Sequence, residues 1–196
     1  MLLFRKTVSL LAAAAAAFLL AACDKAPQSV TLQGETMGTT YTVKYLSDGP
    51  TQAEAMQQQL DALLEEVNRQ MSTYRADSEI SRFNQMRETG RALPIADDFA
   101  FVTAEALRLN RLTHGSLDVT VGPLVNLWGF GPDKTITHEP SAAEINAAAQ
   151  MVGVDKIVLN RESQPATLSK THVGTYLDLS AIAKGCATAT MTTHSG

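Results

Sequence analysis

Three clusters of residues in this chain have types and spacings that could do chemistry. The first is Tyr176-Leu177-Asp178-Leu179-Ser180-Ala181-Ile182-Ala183-Lys184-Gly185. Read as a strand delivering Asp178 into a helix capped by Ser180, it aims backbone N–H groups and a partial positive charge outward. Lys184, in the first turn, adds a point charge, and together these make a pyrophosphate site. A capped surface helix with a solvated lysine is the plainer alternative. The second cluster is Gly115–Pro132, GSLDVTVGPLVNLWGFGP. Leu117, Val119 and Val121 alternate with Asp118 and Thr120, which predicts a short strand stopped by Gly122-Pro123. Gly and Pro around the chain's only tryptophan, Trp128, give a backbone that a ligand can approach. Asp118, at the predicted strand end, suits hydroxyl or amide groups, although an edge strand under an ordinary loop has the same pattern. The third cluster pairs Met37 in Glu35-Thr36-Met37-Gly38-Thr39-Thr40-Tyr41 with Tyr74 in Met71-Ser72-Thr73-Tyr74-Arg75. A soft thioether and an aromatic face with a hydroxyl suit a ring ligand; a turn with a buried Met and a docking tyrosine is the structural alternative.

The elements that must position these groups are legible from periodicity. Val30–Gln33 and Thr39–Leu46 read as strands rich in β-branched and aromatic residues. A helix opens with a capping box from Thr51 to Glu54. Its stripe of Met56, Leu60, Leu63, Leu64, Val67 and Met71 predicts packing on a sheet. A second helix spans about Asp97 to Thr113 and ends at His114-Gly115. A third starts from a capping box, Ser141 to Glu144, and ends before Gly153. Beyond Gly153, Lys156–Asn160, Ala166–Lys170 and Thr175–Leu179 read as a meander of short antiparallel strands. The pattern predicts one α+β domain over residues 30–196.

The N-terminus reads as a targeting segment. Arg5 and Lys6 precede a run of apolar and small residues, Val8–Ala22, which is shorter than the roughly 20 residues a membrane span needs. Leu20-Ala21-Ala22-Cys23 resembles a bacterial lipobox, which makes residues 1–22 a signal peptide, Cys23 the acylated residue and 23–29 a tether. An ordinary secretory signal cleaved near Ala22 is the other reading. Asp24 resembles an inner-membrane retention signal. Removing residues 1–22 of 196 leaves 174, and takes away Arg5 and Lys6, so the formal net charge moves from −4 to −6. An acidic chain with no basic stripe argues against nucleic acid as partner. With Cys23 acylated, Cys186 has no disulfide partner in the chain, and four scattered histidines show no zinc spacing.

The three clusters, taken in chain order, resemble the signatures of the ApbE family of FAD:protein FMN transferases over roughly Thr31–Gly185. The resemblance implies an antiparallel sheet packed with helices, related to the T-fold. It implies FAD as substrate and Mg²⁺ as metal, with FMN transferred to a threonine hydroxyl of a target membrane protein and AMP released. Carried over residue by residue, Met37, Tyr74, Ser116, Leu117, Asp118, Asp178 and Lys184 would contact FAD, and the backbone carbonyl of Ala181 would be one Mg²⁺ ligand. The implied partners are flavinylated subunits of Nqr- or Rnf-type membrane redox complexes, reached from a lipid anchor on the periplasmic face of the inner membrane. An FAD pyrophosphatase on the same scaffold and a non-catalytic flavin-binding lipoprotein are the alternatives.

The resemblance also implies residues that this sequence does not supply: a histidine near the reacting phosphate and an Asp/Thr pair that completes the metal site. The catalytic residues are therefore unassigned, with Asp178 the candidate. The run from Cys186 to Gly196 lacks the apolar helix expected there, so the expectation is a fragment or truncated form that holds the FAD half-site.

Overall fold

A computed structural model describes residues 27–47, 51–132 and 138–193. The proposed signal, Cys23 and the tether up to residue 26 lie outside the described residues, as does the side chain of Thr51 in the expected first capping box. Among the described residues no helix is long and apolar enough to cross a membrane.

The contacts divide the chain into two units. The first holds residues up to 34 and 40–57. Its main element is a hairpin of β1 (Gln28–Thr36) and β2 (Thr39–Ser47), both longer than the sequence predicted. Along β2, Tyr41, Val43 and Tyr45 are half-buried while Thr42, Lys44 and Leu46 are exposed, as a period of two requires. Gly34 leaves room for the Tyr41 ring, whose hydroxyl accepts from Gln57 Nε2 at 2.6 Å.

The second unit holds residues 35–39 and everything from Gln58 onward. Helix α1 (Thr51–Met71) enters it with Leu60, Leu64, Val67 and Met71 buried, while Met56 and Leu63 are half-buried. A turn leads to α2 (Glu79–Gln85), capped by Ser78, whose hydroxyl accepts from Ser81 N–H and also donates to the Ser72 carbonyl at 2.7 Å. Glu79, in the first turn of α2, is buried because it accepts from Arg69 and from the Ala96 N–H at 2.8 Å. That bond joins α2 to the start of α3 (Asp97–Leu112), which contacts β4 and α6 (defined below). The expected stop of α3 is present: His114 and Gly115 have φ of 51° and 83°, and Gly115 N–H returns to the Asn110 carbonyl.

A three-stranded antiparallel sheet of order β3-β5-β4 carries β3 (Leu93–Pro94), β4 (Ile157–Asn160) and β5 (Thr167–Lys170). Leu168, fully buried at its centre, faces Leu93 on one side and Leu159 on the other. Helix α5 (Ala142–Ala149) opens with the expected capping box of Ser141 and Glu144 and contacts α4 (Gly122–Leu127). The last helix is α6 (Ser180–Thr193).

Three expectations are corrected. Residues 117–121 form a turn, not a strand. Asp118 Oδ1 accepts from both the N–H and the hydroxyl of Thr120, at 2.8 and 2.5 Å, so the alternating residues fold back on themselves. Gly122-Pro123 accordingly starts α4, with Pro in its first turn, where its missing N–H has no intrahelical role. Residues 175–179 are extended but pair with no strand, and Ser180 is the first residue of α6 rather than its cap.

Candidate functional site

A cavity of about 690 Å³ within the second unit is lined by residues that include Met37, Tyr74, Arg75, Ser180 and Lys184. It falls within the range of roughly 300–1,000 Å³ typical of small-molecule sites.

The ring-facing wall is built from two turns. Met37 and Gly38 form the two-residue tip of the hairpin, with φ of 50° and 69°. Positive φ at both positions favours Asn-Gly or Gly-Gly, and Met in the left-handed region costs roughly 1–2 kcal/mol. A strained residue on a cavity wall points to a use for its side chain. Thr36 accepts from Asn68 Nδ2 at 3.0 Å, which holds the tip against α1. Tyr74 lies in the turn after α1, whose backbone is bound by Ser78, yet its own side chain is 65% exposed. An exposed aromatic ring on a fixed backbone is a stacking surface. Next to it Arg75 is held by the carboxylates of Glu65 and Asp77, which push its pKa upward, the Asp77 hydrogen bond most.

Another part of the lining is the start of α6. Asp178 Oδ1 accepts from Ser180 N–H at 2.8 Å, so Asp178, not Ser180, satisfies a free amide of the first turn. Ser180 and Lys184 both line the cavity, and the Lys184 side chain is exposed. In the first turn the Ser180 N–H is taken by Asp178 and those of Ile182 and Ala183 by the Leu179 carbonyl, so the donors suited to phosphate oxygens are the Ala181 N–H and the Lys184 ammonium one turn on.

Extended segment 175–179 carries this wall, and side chains hold it. Asn84 binds both backbone groups of Leu177: its Nδ2 donates to the carbonyl at 2.9 Å and its Oδ1 accepts from the N–H at 2.8 Å. Asp178 N–H donates to the Val119 carbonyl at 2.8 Å. Thr175, Leu177 and Leu179 are buried, whereas Tyr176 and Asp178 are half-buried. The alternation read from the sequence is therefore real; only its strand partner is absent. Gly122 lies against the Tyr176 ring, where a Cβ would meet a ring carbon at 2.1 Å. Burial, and then the Asp178 carboxylate, push the Tyr176 phenol upward.

The structure thus brings Met37, Tyr74 and Lys184 to one cavity. Ser116, Leu117, Asp118, Asp178 and Ala181 are not among its lining residues. Ser116 to Asp118 lie on the turn after α3, where the Leu117 carbonyl accepts from Asn110 at 2.8 Å. That turn is joined to the segment before α6 by the bond from the Asp178 N–H to the Val119 carbonyl. The Ala181 carbonyl lies in the first turn of α6, where helical geometry directs it along the axis toward the amide four residues on. Among the described residues no three His, Cys, Asp or Glu side chains converge on a metal position. Sequence reasoning missed Arg75, Asn84 and Lys170. The last had one signal, a lysine at an inward-facing position of a strand.

The chain is an α+β domain with a cavity lined by an exposed tyrosine and a methionine together with a helix start that bears a lysine. More particularly, the chain belongs to the ApbE family, which matches residues 37–194. It is 50% identical over 183 residues to an FAD:protein FMN transferase of Haemophilus influenzae, covering 92% of this chain and 53% of that protein. A Vibrio cholerae protein of the same name is 48% identical over 176 residues, covering 89% of this chain and 51% of its own length. Among solved structures, the flavin transferase ApbE of Vibrio cholerae superposes with a TM-score of 0.79 at 45% identity, over 86% of this chain and 53% of that one. The apo flavinyl transferase ApbE of Pseudomonas stutzeri gives 0.78 at 33% identity, over 87% and 55%. The chain spans about half the length of the curated relatives it matches.

Proposed function

We propose that this chain binds FAD and serves the transfer of its FMN moiety to a threonine hydroxyl of a membrane protein. The observation that carries the reading is that one cavity is lined by Tyr74 and Met37 together with Ser180 and Lys184. Isoalloxazine stacks on the exposed Tyr74 ring against the Met37 thioether. The pyrophosphate lies toward the start of α6 and the Lys184 ammonium. In the transfer, the threonine oxygen bonds to the FMN phosphorus as the P–O–P bridge breaks. AMP leaves with the bridging oxygen, and the hydroxyl proton passes to solvent or a base. Phosphoryl transfer of this kind depends mainly on positioning and charge neutralisation, and Lys184 is placed to supply part of that charge. Asp178 acts here as the group that orients the helix start.

The named relatives support the activity, and the cavity supports the ligand. Mg²⁺, a hard cation that takes oxygen ligands and bridges phosphates, enters as a requirement to be tested. The described residues do not assemble a site for it, and the carboxylates of Asp118 and Asp178 are already bound to backbone amides. Anchoring through an acylated Cys23 and a partner among membrane redox subunits complete the proposal. Lipid labelling lost in Cys23→Ala tests the anchor.

The reading is tested by titrating the purified chain with FAD and with riboflavin, following flavin fluorescence, with and without Mg²⁺. FAD is expected to bind more tightly than riboflavin, by a margin that shrinks in Lys184→Ala. Equal, weak binding of both would sink the reading. Adding a threonine-bearing acceptor peptide and scanning a denaturing gel for covalent fluorescence tests transfer. AMP released without labelled peptide would indicate hydrolysis instead.

A further inference from the structure

Lys170 is the group in this fold that the cavity does not use and burial does not explain. It is fully buried at the end of β5. Among the described residues no carboxylate pairs with it. An uncompensated ammonium in an apolar interior is expensive, so a lysine here needs partners that only a cation serves well. Its Nζ donates to the carbonyls of Asn84 and Thr175, each at 3.1 Å, and lies 5.1 Å from the centroid of the Phe83 ring. The Asn84 carbonyl is in the last turn of α2, where helix carbonyls lack partners and favour a cation. Thr175 begins the extended segment that leads into α6.

These contacts form a chain of restraints. Lys170 fixes the backbone of Asn84 and of Thr175. The Asn84 side chain then clips both polar groups of Leu177. The next residue, Asp178, binds the 119 carbonyl through its N–H and the first amide of α6 through its carboxylate. Ser180 and Lys184 follow on the cavity wall. None of these bonds touches Met37 or Tyr74; the turns that carry them are bound by Asn68 at the Thr36 hydroxyl and by Ser78 at the Ser72 and Arg75 carbonyls.

We infer that Lys170 and Asn84 form a buried clamp that positions the start of α6, and with it Lys184, for the phosphate end of a flavin dinucleotide; both are positioning residues that do not contact the ligand. The inference rests on the FAD reading for the identity of the ligand. The clamp is local to one wall, so weakening it changes recognition of phosphate and leaves ring recognition in place. A residue that merely holds the fold together would affect both.

Lys170→Met keeps the apolar stem and removes the ammonium, while Asn84→Ala releases Leu177 and leaves Lys170 in place. Each variant is titrated with FAD and with riboflavin. FAD affinity is expected to fall about tenfold in either, since misplacement of a binding group by a fraction of an ångström is felt on that scale. Riboflavin affinity is expected to stay within about twofold. The double variant is expected to be little worse than the worse single, because both act through one segment. An equal fall for FAD and riboflavin, or no change for FAD, would overturn the clamp. If Lys170→Met does not fold, Asn84→Ala carries the comparison alone. Amide hydrogen exchange on the ligand-free chain reads the clamp independently: the amides of residues 177–183 are expected to exchange about tenfold faster in Asn84→Ala while those of α3 are unchanged. Exchange unchanged at 177–183 would also overturn it. Wild-type chain that binds neither ligand refutes the FAD reading, and amide exchange still decides the clamp.

Discussion

The two walls of the cavity are built in opposite ways. On the ring-facing side, side chains line the cavity from two turns, one fixed by a local bond of Ser78 to the turn backbone and the other by a single bond from Asn68 on α1 to the Thr36 hydroxyl. On the phosphate-facing side the working groups are the Lys184 ammonium and the Ala181 amide at the start of α6, and the backbone that leads to them is fixed at a distance, through Asn84, Lys170 and the 119 carbonyl. A stacking face tolerates small displacements, because dispersion and ring contact vary gently with offset. A hydrogen bond from an amide to a phosphate oxygen does not, because it weakens steeply with angle and length. The wall that must be more exact is the one tied to the interior by buried polar groups.

The largest effect that would sharpen this contrast is Leu177→Ala. Leu177 is wholly buried beneath the phosphate-facing wall, and its truncation is expected to lower stability by about 2–5 kcal/mol, read from urea unfolding. Folded protein that remains should lose FAD binding more than riboflavin binding; equal losses would erase the distinction between the walls. Tyr74→Ala is expected to do the reverse. Loss of stacking should weaken FAD and riboflavin alike by about 1–3 kcal/mol, and stability should change by no more than about 0.5 kcal/mol, as for other exposed positions. Calorimetric titration and thermal unfolding of the same preparation check both halves, and a large fall in Tm would show that Tyr74 holds the fold instead.

The smallest effect is a pH dependence confined to the phosphate-facing side. Burial, aided by the neighbouring Arg87 charge, pushes the Lys170 ammonium down to about 8. In the unfolded chain the same group titrates near its ordinary value of 10.5. Between these values the unfolded chain binds a proton that the folded one does not, so stability rises with pH across that window. The penalty is present in full below about pH 8. Tyr176, pushed upward, works in the opposite sense once pH passes its ordinary 10.0, so the clean interval lies below that. Urea midpoints of wild type are expected to rise between about pH 8 and 9.5 and those of Lys170→Met to stay flatter; identical slopes would remove Lys170 as the source.

Most of the elements could be read in advance, and the misreadings share a cause. The α1 stripe, the α5 capping box and the His114-Gly115 stop depend on neighbours within four residues, so periodicity and capping chemistry were enough. Segments 117–121 and 175–179 have the alternation of strands, yet neither has a ladder. In one, Asp118 turns the chain onto Thr120; in the other, Asn84 and Lys170 take the backbone groups that a neighbouring strand would have used. In 175–179 the alternation reports which side chains face inward; in 117–121 it does not, since Thr120 is buried beside Val119. In neither does it say what satisfies the backbone between them.

For the site, the residue types at 37, 74 and 184 were enough to propose ring binding and anion binding, because those chemistries belong to single side chains and to a helix start. Which of the candidates share a cavity was decided by tertiary structure, and it separated Ser116, Leu117 and Asp118 from Met37, Tyr74 and Lys184. It also decided the role of Asp178, whose carboxylate is bound to the amide of Ser180. Lys170 is the clearest case. Its sequence neighbours mark it only as an inward-facing lysine on a short strand; its partners Asn84 and Phe83 lie more than eighty residues away in the chain, and only folding brings the carbonyls and the ring that make a buried ammonium tolerable.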